Sequence, residues 1–170
     1  MSDNLSKLLA ERIIYAGDVT EPVAQAVVAQ LQALACDPTR PASLYVNSKG
    51  GPLVAILSVY EAMQKVSYPL ATVALGRVEY AAAVLVAAGA PGRRVAKAGT
   101  RFVVGPPVVD MAGMDFQAYL KAVQNHCETV NGLLARHTGQ SVQRLAAYSE
   151  ATELSAQEAL QLGLIDRILG

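Results

Sequence analysis

Short β-branched runs alternate with helix-period segments along most of this 170-residue chain, and nearly every change of period falls at Gly, Pro or a capping residue. Strands separated by helices lie parallel and are joined by right-handed crossovers, so the alternation predicts a single α/β domain over residues 1–170. Residues 12–15 read as a strand closed by Gly17, and Thr20-Glu21-Pro22 opens a helix with a hydroxyl cap, an acid in the first turn and a proline that needs no amide partner. Val23, Val27, Leu31 and Leu34 follow at helical spacing; residues 36–42, with two prolines, form a loop. Residues 44–46 are a second strand leading into Asn47-Ser48-Lys49-Gly50-Gly51-Pro52, after which Leu53, Ile56, Leu57 and Tyr60 share a helix face. A third strand, 70–75, ends at Gly76 and precedes an Ala-rich helix over 81–88; residues 94–96 and 102–104 are short strands around Gly99. The longest helix runs over about 114–136. Its stripe of Phe116, Leu120, Val123, Cys127, Val130 and Leu134 has the heptad-like steps of an element that packs against another long one. Gly139 ends it, Ser141 caps a short helix, Ser155 and Glu158 form a capping box, and Gly163 precedes a terminal strand over 164–169.

Composition narrows the function classes. The chain is 52% hydrophobic and 16% charged, with 14 basic and 14 acidic residues. Disorder is excluded by the first figure, and a net charge of zero offers no footprint for nucleic acid. Two cysteines make no disulfide framework, which implies a reducing compartment. Residues 1–10 hold no signal-like apolar run, and the apolar stretch 80–90 is too short to span a bilayer, so the expectation is a cytoplasmic protein with no membrane partner. So low a charge density also hints that part of the surface is covered in an oligomer.

Two strand-to-helix turns are placed where α/β sheets gather their chemistry. In the first, Gly50 and Gly51 allow a sharp turn that presents backbone N–H groups, either as half of an oxyanion hole or simply as a tight connection. The second, residues 76–80, has the place of a nucleophile elbow, yet Tyr80 stands there, a poor nucleophile without a base. Glu79 reads as an acid or base, or as ordinary helix-start capping. The two histidines, His126 and His137, lie three turns apart on the long helix and cannot share a metal; His126 and Cys127 point to different faces. No phosphate-binding glycine motif occurs, so neither cofactor nor metal is expected.

The blocks LLAERIIY (8–15), VAQLQAL (28–34), LYVNSKGG (44–51), VLVAAGAPGRR (84–94), HTGQS (137–141) and LSAQEALQLGLIDRIL (154–169) resemble the ClpP family, the peptidase subunits of the ATP-dependent Clp protease, in family order over about 8–169. The resemblance implies the repeated β-β-α spiral fold shared with crotonases, with a protruding handle over about 106–137. It also implies heptameric rings stacked through the handle, docking of an AAA+ Clp ATPase, and unfolded polypeptides as substrates in protein quality control. The family's Ser-His-Asp triad falls on Tyr80, Gly105 and Tyr148, so neither acyl acceptor nor proton shuttle carries over. Its oxyanion donors fall on Gly50 and Ala81, and its substrate groove begins at Gly51 and Pro52, where proline has no N–H to give. Little precedes the match, which implies lost or reduced axial pore loops. A steric expectation follows: the Tyr80 ring fills the space that glycine leaves at 105.

The resemblance therefore implies a non-catalytic paralogue of the ClpR kind, a structural or regulatory subunit in rings with catalytic ClpP-type subunits or with itself. Two alternatives stand beside it. One is an active hydrolase with its nucleophile relocated to Ser48, Tyr80 or Cys127; the other is a crotonase-like acyl-CoA binder using Glu79.

Overall fold

The parallel core predicted from the alternation is present. The computed structural model describes residues 2–107 and 109–170, with the side chains of residues 2 and 3 left out. In chain order the elements are α1 (Ser2–Ala10), β1 (Ile13–Ala16), α2 (Glu21–Leu34), β2 (Ala42–Ser48), α3 (Leu53–Lys65), β3 (Leu70–Glu79) and α4 (Ala82–Ala87). They continue with β4 (Arg94–Lys97), β5 (Arg101–Val104), α5 (Phe116–Thr138), α6 (Val142–Ala146), β6 (Thr152–Ser155), α7 (Ala156–Leu162) and β7 (Arg167–Leu169). The sheet runs β1-β2-β3-β4-β7 with all neighbours parallel, and β5 branches from β3 with β6 antiparallel on its far side. One buried cluster joins Ile14, Leu44, Val46 and Ala74 of the sheet to Leu31, Ile56, Val59 and the whole of α4. A helix buried on every side, as α4 is, needs no amphipathic stripe, and its Ala-rich sequence lets the neighbouring layers close on it.

Four sequence expectations are corrected. The third strand does not stop at Gly76: it passes through that residue at φ 57° and continues to Glu79. Between the pairs Val46↔Ala74 and Ser48↔Val78 the register shifts, so β3 carries a bulge around Gly76. Asn47 supports it, its Oδ1 accepting from the Arg77 amide at 3.2 Å. The first half of β3 pairs with β4 and the second half with β5, and this switch brings the end of β3 to the branch. Thr20 is the N-cap residue of α2, but its hydroxyl makes no capping bond. The stripe of α5 is buried only at Val130 and Leu134; Phe116 and Leu120 are 64% and 50% exposed. The last strand is confined to Arg167–Leu169. Helix α1 and strand β6 have no counterpart in the sequence reading, whereas the Ser155–Glu158 capping box and the left-handed caps at Gly139 and Gly163 form where it places them.

Candidate functional site

The bulged end of β3 delivers the chain to an elbow at Tyr80, whose φ of 49° lies in the left-handed region. A non-glycine residue there carries strain of about 1–2 kcal/mol, and the surroundings hold it in place. The Tyr80 amide donates to the Val103 carbonyl at 2.7 Å, and its carbonyl accepts from Ala83 at 3.0 Å. The backbone of a nucleophile elbow is thus formed. Its side chain, however, is a half-buried phenol with no hydrogen-bond partner among the described residues. The amide of Ala81 likewise has no acceptor there.

The glycine turn lies beside it, since a Cβ on Gly50 would stand 3.4 Å from the Glu79 carbonyl oxygen. Gly50 does not offer its amide outward. That N–H donates to Ser48 Oγ at 3.0 Å, while the same hydroxyl donates to the Gly50 carbonyl at 3.2 Å. The Val19 amide donates to that carbonyl, and Lys49 N–H donates to Asp18 Oδ1. Gly51 is pressed against the Val19 carbonyl, which a side chain would strike. Of the two oxyanion-type donors the sequence suggests, Gly50 is engaged within its own turn and Ala81 is not.

Gly105, at the end of β5, has φ 108°. A Cβ built there would meet the Glu150 carbonyl oxygen at 2.5 Å, its carbon at 3.0 Å and the Tyr148 carbonyl oxygen at 3.3 Å. The atoms nearest to that Cβ direction are therefore backbone of residues 148–150. That segment is tied to β5 and β3 by charge. Arg77 donates to Glu79 at 2.6 Å and to Glu153 at 2.9 Å, Arg101 reaches Glu153 at 3.5 Å, and Thr152 Oγ1 donates to the Glu150 carbonyl at 3.0 Å. Glu79 is therefore committed to an ion pair.

Among the described residues the other candidate nucleophiles and bases stand apart from one another. Ser48 is locked inside its turn and 1% exposed. Burial pushes the Cys127 thiol up, with Glu128 adding to the effect, which disfavours a thiolate. Burial holds His126 below its ordinary range, and its buried Nε2 has no hydrogen-bond partner among the described residues. His137 accepts from or donates to the Tyr60 hydroxyl at 3.0 Å, and the rings meet edge to face. Among the described residues no carboxylate contacts that imidazole; Arg94 and Arg136 flank it and, after burial, help keep it neutral. The pair sits beside a cleft of about 420 Å³ bordered by Leu70, Ala87, Arg94 and Arg136, at the opposite end of β3 from the elbow. Arg94 is the residue that sequence reasoning passed over, although it closes the basic pair Arg93-Arg94 at a strand start. Among the described residues no cluster of His, Cys, Asp or Glu could hold a metal, and no helix is long and apolar enough to cross a membrane. Compared with known families, residues 1–170 match the model described as Clp protease.

Proposed function

The chain belongs to the Clp protease family, and we propose that it serves there as a ring subunit that does not cut. The observation that carries this reading is the elbow itself: a strained turn of the kind that exposes a nucleophile, occupied by Tyr80, whose hydroxyl is bonded to no base among the described residues. Positions 80, 105 and 148 are read as the triad positions, now a phenol, a glycine and a second phenol. With no imidazole bonded to the hydroxyl at position 80 among the described residues, no general base is in place to take its proton during an attack, so no acyl transfer starts. Around it, Gly50 and Ala81 stand in the oxyanion positions and Gly51 and Pro52 in the groove. With Gly50 committed to Ser48 the oxyanion position has lost one donor, and with Pro52 lacking an N–H the groove has lost one of those that would hold an extended polypeptide.

What the chain keeps is its scaffold. At the outer end of α5 and just before it Met111, Met114, Phe116 and Leu120 are exposed, which suits the handle through which two rings stack. As a ClpR-like member it would join catalytic ClpP-type subunits, or copies of itself, in heptameric rings that receive unfolded polypeptides from an AAA+ Clp ATPase in the cytoplasm. Its role is then structural or regulatory: it sets ring composition and the docking face, and its neighbours supply the chemistry.

The test is to purify the chain alone and together with a catalytic Clp subunit from the same cell. Alone, it should take no fluorophosphonate label and cleave no fluorogenic peptide; together, the two should elute as one species of ring mass. Labelling of the chain by itself would overturn the proposal.

A further inference from the structure

We infer that the inactive state is fixed in the backbone, with residues 148–150 acting as a plug against position 105, so that restoring three side chains does not restore a proton relay. The inference rests on the reading of 80, 105 and 148 as triad positions and goes beyond it: loss of the catalytic side chains alone leaves the scaffold free to take them back, whereas a plug does not.

Three observations place the plug. First, position 105 has φ 108°, where an L side chain is strained whatever the space around it. Second, its Cβ direction is blocked by main chain rather than by a movable side chain, with the Glu150 carbonyl oxygen 2.5 Å from where the Cβ would stand. Real Cβ atoms do not approach an oxygen so closely, so backbone at 105 or at 148–150 must shift before an imidazole can hang from 105. Third, the segment is clamped. Glu153 joins Arg77 of β3 and Arg101 of β5, β6 pairs with β5 from Val104↔Thr152 to Arg101↔Ser155, and Thr152 Oγ1 holds the Glu150 carbonyl. The strand that carries the elbow thus also carries the anchor of the plug.

Two arms test this on the full chain. Gly105→Ala adds one methyl group at the blocked position and should lower the melting temperature by about 2–8 °C, while Gly132→Ala, where a Cβ meets nothing within 4 Å, should not lower it. Glu153→Ala, by loosening the clamp, should make the Gly105→Ala loss smaller in the double variant than in the single one. In the second arm, Tyr80→Ser/Gly105→His/Tyr148→Asp should take no fluorophosphonate label. If that variant folds and is labelled, the plug does not exist. If it fails to fold, the first arm decides: a Gly105→Ala protein that melts with the wild type overturns the inference, and one that loses stability supports it. Labelling of the wild-type chain would instead remove the reading on which the inference rests.

Discussion

Arg94 donates to both carboxylate oxygens of Asp166, at 2.6 and 3.0 Å, and through Nη1 to the carbonyls of His137 and Gly163, each at 2.9 Å. A longer contact reaches Ala87. These carbonyls close α5, α7 and α4, where no intrahelical donor remains, so one guanidinium caps three helix ends. Asp166→Asn leaves that largely buried cation without its counter-charge and should cost about 2–3 kcal/mol, read by urea denaturation. Hydrogen bonds from Arg94 hold the Asp166 carboxyl below its usual range. Its folded value lies below its unfolded one, so its contribution is complete above about pH 4 and is lost as pH falls through the folded value; the Asn variant should lose that acid limb. His137 acts higher on the scale. Burial, then Arg136 and Arg94, lower its affinity for a proton, and the unfolded chain binds that proton more readily. Stability is therefore complete above about pH 6.5 and declines below it. Melting temperatures should fall between pH 7 and 5.5, and His137→Gln should remove part of the fall, leaving the part due to half-buried His126.

Along α5 the environment changes within one element. Val130 and Leu134 sit in the core, Val123 and Cys127 are half-covered, and Phe116 and Leu120 are exposed. Leu134→Ala should therefore cost about 2–4 kcal/mol in the isolated chain, while Leu120→Ala should change its stability by less than about 0.5 kcal/mol; urea titration of both checks the gradient. The sequence stripe showed that this helix has one apolar face but not what covers it, because periodicity encodes a direction and not a neighbour. Elsewhere legibility follows the same rule. The capping box at Ser155 and Glu158 and the stops at Gly139 and Gly163 are local chemistry, and they form where they are read. Gly76 also reads as a stop, yet β3 passes through it because Asn47, thirty residues earlier, supports the bulge. Strand β6, Thr-Glu-Leu-Ser, has no strand composition of its own and exists because β5 offers an edge. Gly105 is the sharpest case: in sequence it is one more glycine at a strand end, whereas in space it is a close approach by a segment forty-five residues away.

For the whole molecule, the accessible surface is 8908 Å², against roughly 8,000 Å² for a compact monomer of 17.9 kDa. The excess is apolar in part. Met111, Met114, Phe116 and Leu120 are exposed at one end of α5, and Leu5, Leu8 and Tyr15 on α1 and β1. With a net charge of zero there is little repulsion to keep copies apart. A subunit built to stand alone gains nothing from two such groups of uncovered side chains, whereas a subunit with one neighbour in its ring and another across it needs contacts of both kinds. If the outer half of α5 is the cross-ring contact, charging it should separate the two levels of assembly. Phe116→Asp/Leu120→Asp puts two carboxylates into an apolar seam without touching Val130, Leu134 or the sheet. The subunit should melt within about 2 °C of wild type, since exposed positions carry little folding energy. Mixed with catalytic subunits, it should still enter a ring, but the native mass should fall to about half, because each stacked contact would bury unpaired charge. An unchanged native mass would assign the stacking contact to another element and leave the apolar end of α5 to a different partner.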